Sequence, residues 1–401
     1  MSEQFLHGAE VLEMPGGPRP VRTVKSSVIG IVGTAPDADA TAFPLNTPVL
    51  VAGSRSESAK LDTTGDSKGT LPAAMDGVFD QCGAMLVVIR VDEGADEAAT
   101  LTNIIGGTNA DGTYHGVHGL LTAESVVKVV PRILCAPGFT HQMPEDPDNA
   151  GVKLANPVAS ELVGISEQLK ATIIADGPAS NRVDAIAYRE SFGTDRIFIV
   201  DPWVKVFKDG AVKSEPASAR IAGLMAKIDN ELGFWWSPSN QEINGIIGTS
   251  RPIPFTFGDI NCEANHLNEN EVATIVHSDG YRLWGNRTCS SDPKFAFLSV
   301  RRTADIINDS LLRAHKWAVD RNISKTYIED VTESVNNYLR HLKKIGAILG
   351  GHCWADEELN SPDQIEQGKV YFDFDFTPPY PAEHITFRSH LVNDYIKEIF
   401  K

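Results

Sequence analysis

Short, almost wholly apolar runs recur along the first half of the chain, separated by stretches with apolar residues every three or four positions. Ser27–Thr34 is apolar and β-branched, which predicts a buried strand. The same signal marks Pro48–Val51, Met85–Val91, Arg132–Ala136, Thr172–Ala175 and Arg196–Val206. Helices are predicted between several of these. One spans Leu71–Gln81 and another Val158–Lys170, with Leu162, Ile165 and Leu169 on one face. Strands alternating with helices predict a mostly parallel sheet covered on both faces. Asn103–His118, with turns at Gly106-Gly107 and Asp111-Gly112, reads as an exposed loop.

The second half is more helical. Ile221, Leu224, Met225, Ile228 and Leu232 fall on one face of a helix over Ala217–Leu232, entered at Pro216 and stopped at Gly233. A second helix is predicted over Arg301–Val319. A third covers Thr326–Leu349, with Thr326 and Glu329 at capping-box spacing. Its apolar stripe runs through Ile328, Val331, Val335, Leu339 (or Tyr338), Leu342 and Ile345, and Gly350-Gly351 stops it. Val370–Thr377 and Ile385–Val392, separated by Pro378-Pro379-Tyr380-Pro381, then read as a terminal β-ribbon.

Both ends lack the means to fold alone. Residues 1–25 are punctuated by Gly8, Pro15, Gly16, Gly17, Pro18 and Pro20, and alternate apolar with polar only around Val21 and Val24. The last residues carry Val392, Tyr395, Ile396, Ile399 and Phe400, apolar but too few to bury one another. Extended, apolar, non-self-sufficient ends are what strand addition to another subunit needs. Val21, Val24, Tyr395, Ile396, Ile399 and Phe400 are therefore expected to pack on other subunits.

Composition narrows the partners. The 401 residues allow two or three domains, and 42% hydrophobic with 22% charged residues is ordinary for a soluble globular protein. A net charge of -17 argues against nucleic acid as a general partner. No apolar run is long enough for a bilayer span, and the first 25 residues lack a signal-peptide core, so no membrane role is expected. The sequons at Asn286, Asn308 and Asn322 are therefore set aside. The five cysteines, Cys82, Cys135, Cys262, Cys289 and Cys353, are scattered without a C-x-x-C pair, which suits free thiols in a reducing compartment.

Chemistry is sought and not found. Gly30-Ile31-Val32-Gly33-Thr34 follows strand signal but lacks the Walker spacing and its Lys-Ser/Thr, so it reads as a tight turn. His115 and His118 flank glycines with no accompanying carboxylate motif, and read as exposed loop histidines. Asp373 and Asp375 alternate with Phe372, Phe374 and Phe376, as on a strand with one aromatic and one solvated face. Trp235 and Trp236 are expected to lock the end of their helix onto the sheet rather than to stack on a ligand. H-E-x-x-H does not occur. No catalytic, cofactor or metal residue is assigned.

Several segments resemble the sheath subunit of contractile phage tails and of R-type bacteriocins. SSVIGIVGTAPDAD (Ser26–Asp39) and FPLNTPVLV (Phe43–Val51) resemble the opening of the family's outer domain. LWGNRT (Leu283–Thr288), RRTADII (Arg301–Ile307), NISKTYI (Asn322–Ile328), GAILGG (Gly346–Gly351) and PAEHITF (Pro381–Phe387) resemble its inner, tube-facing domain. The likeness covers nearly the whole chain and is densest from Pro216 to Phe387.

The resemblance implies an α/β subunit of two domains: an outer α/β sandwich over 26–275 and an inner α+β domain over 276–391. Exchange arms over 1–25 and 392–401 would flank them. It implies six-membered rings stacked as a helical sheath around a tail tube, with baseplate and tail terminator proteins as further partners. Release from the baseplate shortens such a sheath and drives the tube through a bacterial envelope. The expected place is the virion tail, assembled in the host cytoplasm, and no enzyme activity is implied. Two rivals stand beside this: the sheath of a bacteriocin or related injection machine, and a hydrolase on the N-terminal α/β unit, the latter by fold analogy alone. From Arg301 to Gly350 nine bases face six acids, a balance of +3 within an acidic chain. Arg340, Lys343 and Lys344 share one helix face and are expected to meet an acidic tube surface; a solvated helix end that complements the helix dipole is the plainer alternative.

Overall fold

Every residue of β1 (Val28–Thr34) is buried, because the strand lies at the centre of a sheet covered on both faces. A computed structural model describes residues 20–149 and 151–400, without the side chains of residues 397, 398 and 400. Six strands form the main sheet in the order β2 (Val49–Ala52), β3 (Met85–Val91), β1, β4 (Ile133–Cys135), β5 (Thr172–Asp176), β6 (Ile197–Val200). All run parallel except β2, which closes one edge antiparallel to β3. The β-branched runs predict this: strands buried on both faces read as continuous apolar segments.

Two cores sandwich the sheet. On one side α1 (Leu71–Phe79) and α5 (Ser218–Glu231) supply Leu71, Met75, Ile221, Leu224 and Met225. On the other, α2 (Glu97–Ile105) and α3 (Pro157–Leu169) supply Ile104, Leu162 and Ile165. Gly223 lets α5 approach α1: a Cβ there would lie 2.9 Å from both Val78 Cα and Val78 O. Shorter helices, among them α4 (Arg182–Glu190) and α6 (Glu263–Glu269), also belong to this half.

A small sheet in the order β8 (Ala211–Glu215), β7 (Val204–Lys208), β9 (Gly248–Thr249) follows, with a hairpin of β10 (Thr274–His277) and β11 (Tyr281–Trp284). The long strand expected over Arg196–Val206 is thus two, divided at Asp201-Pro202, whose peptide bond is cis. The domain border expected between residues 275 and 276 falls inside β10, and Ile275 and Leu283 of this hairpin join the first core.

Helices α7 (Leu298–Ala314) and α8 (Lys325–Lys344) pack against a ribbon of β12 (Gly350–Ala355) and β13 (Phe372–Thr377). Three expectations are corrected here. Helix α8 is capped by the Ser324 side chain, which accepts from Tyr327 N at 3.2 Å, not by a Thr326–Glu329 box. It ends at Lys344, so Ile345 is 42% exposed rather than part of the stripe. The terminal ribbon pairs β13 with β12, not with Ile385–Val392, because the turn after α8 delivers residues 350–355 alongside β13.

Candidate assembly site

Helices α7 and α8 share one apolar cluster. Ile306, Ile307 and Leu311 meet Val335, Tyr338, Leu339 and Leu342, and Phe372, Phe374 and Phe376 of β13 pack against them. Asp373 and Asp375 take the other face of β13, as strict alternation predicts. The Asp375 carboxylate accepts from His352 N at 2.8 Å.

The two outer edges of this ribbon differ. Asn336 on α8 accepts from Cys353 N at 2.8 Å and donates to Cys353 O at 2.9 Å, so it occupies the outer edge of β12. Cys353 lies opposite Phe374. Since the backbone groups of Cys353 face away from β13, those of Phe374 face away from β12, as do those of Phe372 and Phe376. Among the described residues none of these has a backbone partner on that side. An edge of unpaired N–H and C=O groups is a template for another strand.

Two chain ends reach this region. Val21 and Val24 are half-buried against the α7–α8 cluster of their own chain. Val24 N donates to Ser310 Oγ at 3.0 Å, and Thr23 Oγ1 shares a 3.1 Å hydrogen bond with the Tyr338 hydroxyl. The rest of the expected N-terminal arm, residues 1–19, lies outside the described residues. At the other end, residues 378–392 form no strand, and Ile385, Phe387 and Leu391 are exposed, the last fully. A short 3-10 turn over Asp394–Phe400 follows, with Tyr395, Ile396 and Ile399 exposed; the Phe400 side chain lies outside the described residues.

The three bases near the end of α8 are all exposed. Arg340 donates to Glu333 Oε1 at 2.5 Å and to Asn337 Oδ1 at 2.7 Å, whereas no ion pair engages Lys343 or Lys344 among the described residues. Cations in the last turn of a helix complement its dipole.

A charged seam, unnoticed from sequence, joins α7 to the main sheet. Arg301, Asp305, Asp309 and Arg313 succeed one another at intervals of four along α7, which places them on one face. Arg301 bonds Asp305 (2.8 Å) and Asp195 (3.2 Å), and Arg313 bonds Asp309 (2.8 Å) and Glu124 (2.5 Å). From the sheet side, Arg132 before β4 reaches Asp309, and Arg196 before β6 reaches Asp305. Burial, opposed by the Asp309 charge, pulls the Arg132 pKa down; the Glu124 carboxylate pushes that of Arg313 up. The four-residue spacing is the signal the sequence carries; net charge alone does not reveal it.

The other candidates have ordinary roles. Residues 30–34 lie inside β1 and are not the tight turn expected; Thr34 N donates to Thr70 Oγ1, and a Cβ on Gly33 would lie 2.4 Å from that hydroxyl, so Gly33 makes room for the Thr70 side chain. His118 pairs with Glu161 at 2.8 Å and His115 with Asn109, so the two do not converge. Trp235 packs edge-on to Phe234 within the α7–α8 cluster and Trp236 is 48% exposed, which corrects the expectation that both rings lock onto the sheet. A cavity of about 180 Å³ lies between α1 and α5, lined by Gly69, Ala73, Ala74 and Gly77; the Arg220 guanidinium beside it is committed to Asp80 and Glu215. No group of three His, Cys, Asp or Glu placed to hold a metal, and no helix long and apolar enough to cross a membrane, occurs among the described residues.

Comparison with known proteins matches three family models in succession. They are the tail sheath protein Gp18 domain III N-terminal region (residues 26–91), the phage tail sheath protein central domain (112–289) and the phage tail sheath C-terminal domain (290–391). The chain is 42% identical over 398 residues to a putative prophage major tail sheath protein of Pseudomonas aeruginosa (strain UCBPP-PA14), covering 98% of each. It is 36% identical over 406 residues to the tail sheath protein of Escherichia phage P2, again covering 98% of each. Its fold is shared with the helical sheath of the anti-feeding prophage in its contracted state, at TM-score 0.69 and 21% identity over 98% of this chain and 100% of the other. The contracted sheath of an extracellular contractile injection system is similar at TM-score 0.69 and 16% identity over 99% and 100%.

Proposed function

The chain belongs to the phage tail sheath family, and from that membership we propose that its copies stack as six-membered rings into a contractile sleeve around a tail tube. The sleeve is held extended, is released by the baseplate, and shortens to drive the tube through a bacterial envelope. The observation that carries this reading is the pairing of an open β13 edge with an exposed apolar C-terminal stretch that has no strand partner among the described residues. In strand addition, backbone hydrogen bonds supply affinity and alternate side chains set the register. Tyr395, Ile396, Ile399 and Phe400 engage a neighbour, and Val21 and Val24, half-buried on their own chain, keep an exposed side for another.

The subunit comprises an outer α/β domain over about 26–275 and an inner α+β domain over about 276–391, flanked by arms over 1–25 and 392–401. The buried Arg–Asp seam supports movement of each subunit as a rigid body while the arms keep the sleeve connected. Many subunits switching together need only a few kcal/mol each, so no nucleotide is consumed. Arg340, Lys343 and Lys344 face the tube. Baseplate and terminator proteins bound the sleeve, which is built in the host cytoplasm and ends in the virion tail. The fold shared with injection-system sheaths favours a second setting, a contractile machine without a capsid.

Removing residues 392–401 tests the reading. The full chain should form long hollow tubes in negative stain. The shortened chain should stay monomeric with an unchanged unfolding transition. Normal tubes from the shortened chain would refute arm exchange.

A further inference from the structure

Two motifs far apart in sequence meet at the root of the C-terminal arm. The Glu383 carboxylate accepts from Arg287 Nε at 2.8 Å and from Arg287 Nη2 at 2.6 Å. The same guanidinium lies 5.0 Å from the centre of the Phe297 ring, and Phe297 meets Tyr380 edge-on at 6.1 Å and 72°. Arg287 is itself fixed: its backbone bridges that of Phe297, and Leu298 N donates to Asn286 O at 3.0 Å at the start of α7. The arm is thus held by an ion pair and a ring contact, both seated on one closed loop.

Glu383 is also where the attachment ends. Among the described residues, no hydrogen bond or ion pair joins 384–400 to the rest of the chain. Arg287 and Glu383 are 35% and 39% exposed, and a pair so placed adds little to folding. A forked Arg–carboxylate contact nevertheless fixes direction as well as distance. The aromatic face restrains the guanidinium from rotating.

We propose that Arg287 and Glu383 form the pivot of the C-terminal arm, setting the point and direction from which residues 384–393 leave the subunit. The inference rests on exchange of that arm between subunits. Extended, this segment reaches about 33 Å. Loosening its root spreads the tip over a larger volume and lowers its effective concentration at the neighbour's sheet edge. Arg287 and Glu383 are positioning residues: they direct the strand and do not themselves join the exchanged sheet.

The test compares full-length R287E, E383R, R287E/E383R and E383Q with the parent and with the chain lacking 392–401. Unfolding temperature is followed by circular dichroism, and sheath formation by sedimentation and negative stain against protein concentration. Each single reversal should leave the unfolding temperature within about 3 °C. It should raise the concentration needed for sheaths about tenfold. The double reversal should restore it to within about threefold, the remainder reflecting the lost stacking on Phe297. E383Q keeps the shape without the charge and should cost about threefold, which carries the test should the reversals unfold. Parent-like assembly by E383Q and the single reversals, with the shortened chain still unable to assemble, overturns the pivot and leaves arm exchange standing. Parent-like assembly by the shortened chain overturns both.

Discussion

Arg302 and Asp229 face each other across the junction of α7 and α5 as a bidentate pair, Nη1 to Oδ1 at 2.8 Å and Nη2 to Oδ2 at 2.5 Å. Both side chains are nearly sealed from solvent, 5% and 1% exposed. This contact couples α7 directly to a helix that covers the main sheet. Asp229→Ala leaves a buried guanidinium without its counter-charge, and should cost about 3–5 kcal/mol. Replacing both residues by apolar side chains of similar volume should cost far less, because the desolvation penalty goes with the charges. Urea unfolding of the unassembled chain measures both. A single substitution costing under about 1 kcal/mol would show that the pair does not hold the junction.

Packing of α1 against α5 depends on a missing side chain. A Cβ at Gly223 would sit 2.9 Å from backbone atoms of Val78, which cannot rotate away as a flexible side chain would. Gly223→Ala should therefore destabilise by about 1–3 kcal/mol although alanine favours helix. Gly164, on the outer helix α3, has nothing within 4 Å of its would-be Cβ, so Gly164→Ala should stabilise by up to about 1 kcal/mol. Thermal unfolding of the two variants should move in opposite directions; the same direction for both would refute the steric account.

How far the sequence could be read depended on whether local pattern or distant packing decided each element. The stripe of α5 was plain because Ile221, Leu224, Met225 and Ile228 all enter the core, though Leu232 turns out 41% exposed. Helix α4 escaped notice because only Ala185 and Tyr188 are buried and Val183 is 71% exposed, so it carries no apolar stripe. The β7–β8 hairpin is hard to see in the sequence although Asp209-Gly210 marks its turn, because the apolar run before it looks like one strand across Asp201-Pro202. Ile385–Val392 has the alternation of a strand but no partner among the described residues, whereas β12 opens with two glycines and gives no strand signal. Its pairing is set by α8, which no local window sees. The candidate assembly surface follows the same rule. The apolar ends were visible from their composition; the open edge of β13 and the Asn336 cap on β12 required the fold.

Asp176 makes stability depend on pH in an unusual direction. Its carboxylate is fully buried at the end of β5, accepting from Ser218 N (2.8 Å) and Ser218 Oγ (2.6 Å). Burial outweighs these bonds and raises its pKa from 3.8 to about 6. The folded chain thus holds this proton more tightly than the unfolded chain. The contribution is fully present below about pH 4 and is lost as pH rises through about 6, a span of roughly 3 kcal/mol. Asp176→Asn removes the titration while keeping an acceptor for Ser218 N. The stability difference between parent and variant should shift by that amount, against the parent, between pH 4 and 7. A flat difference across that range would mean that Asp176 titrates like an exposed aspartate.

Arg340, Lys343 and Lys344 pose a different question, because their exposure fits both a solvated helix end and a tube contact. The two roles separate by salt. If these bases meet an acidic tube surface, reversing all three to glutamate should weaken co-assembly with the tube and flatten its dependence on ionic strength. The helix itself should lose only about 1–2 kcal/mol, from dipole and Glu333 contacts. Reversal of Lys213 on β8, half-buried and paired only with Asp209 among the described residues, serves as the control and should leave co-assembly unchanged. Sheaths would be formed around purified tubes at several salt concentrations and the bound fraction measured by sedimentation. Equal binding by the triple variant and the parent at every salt concentration would assign these residues to the helix end alone, since a charge-dependent contact must respond to a change of six units of charge per subunit.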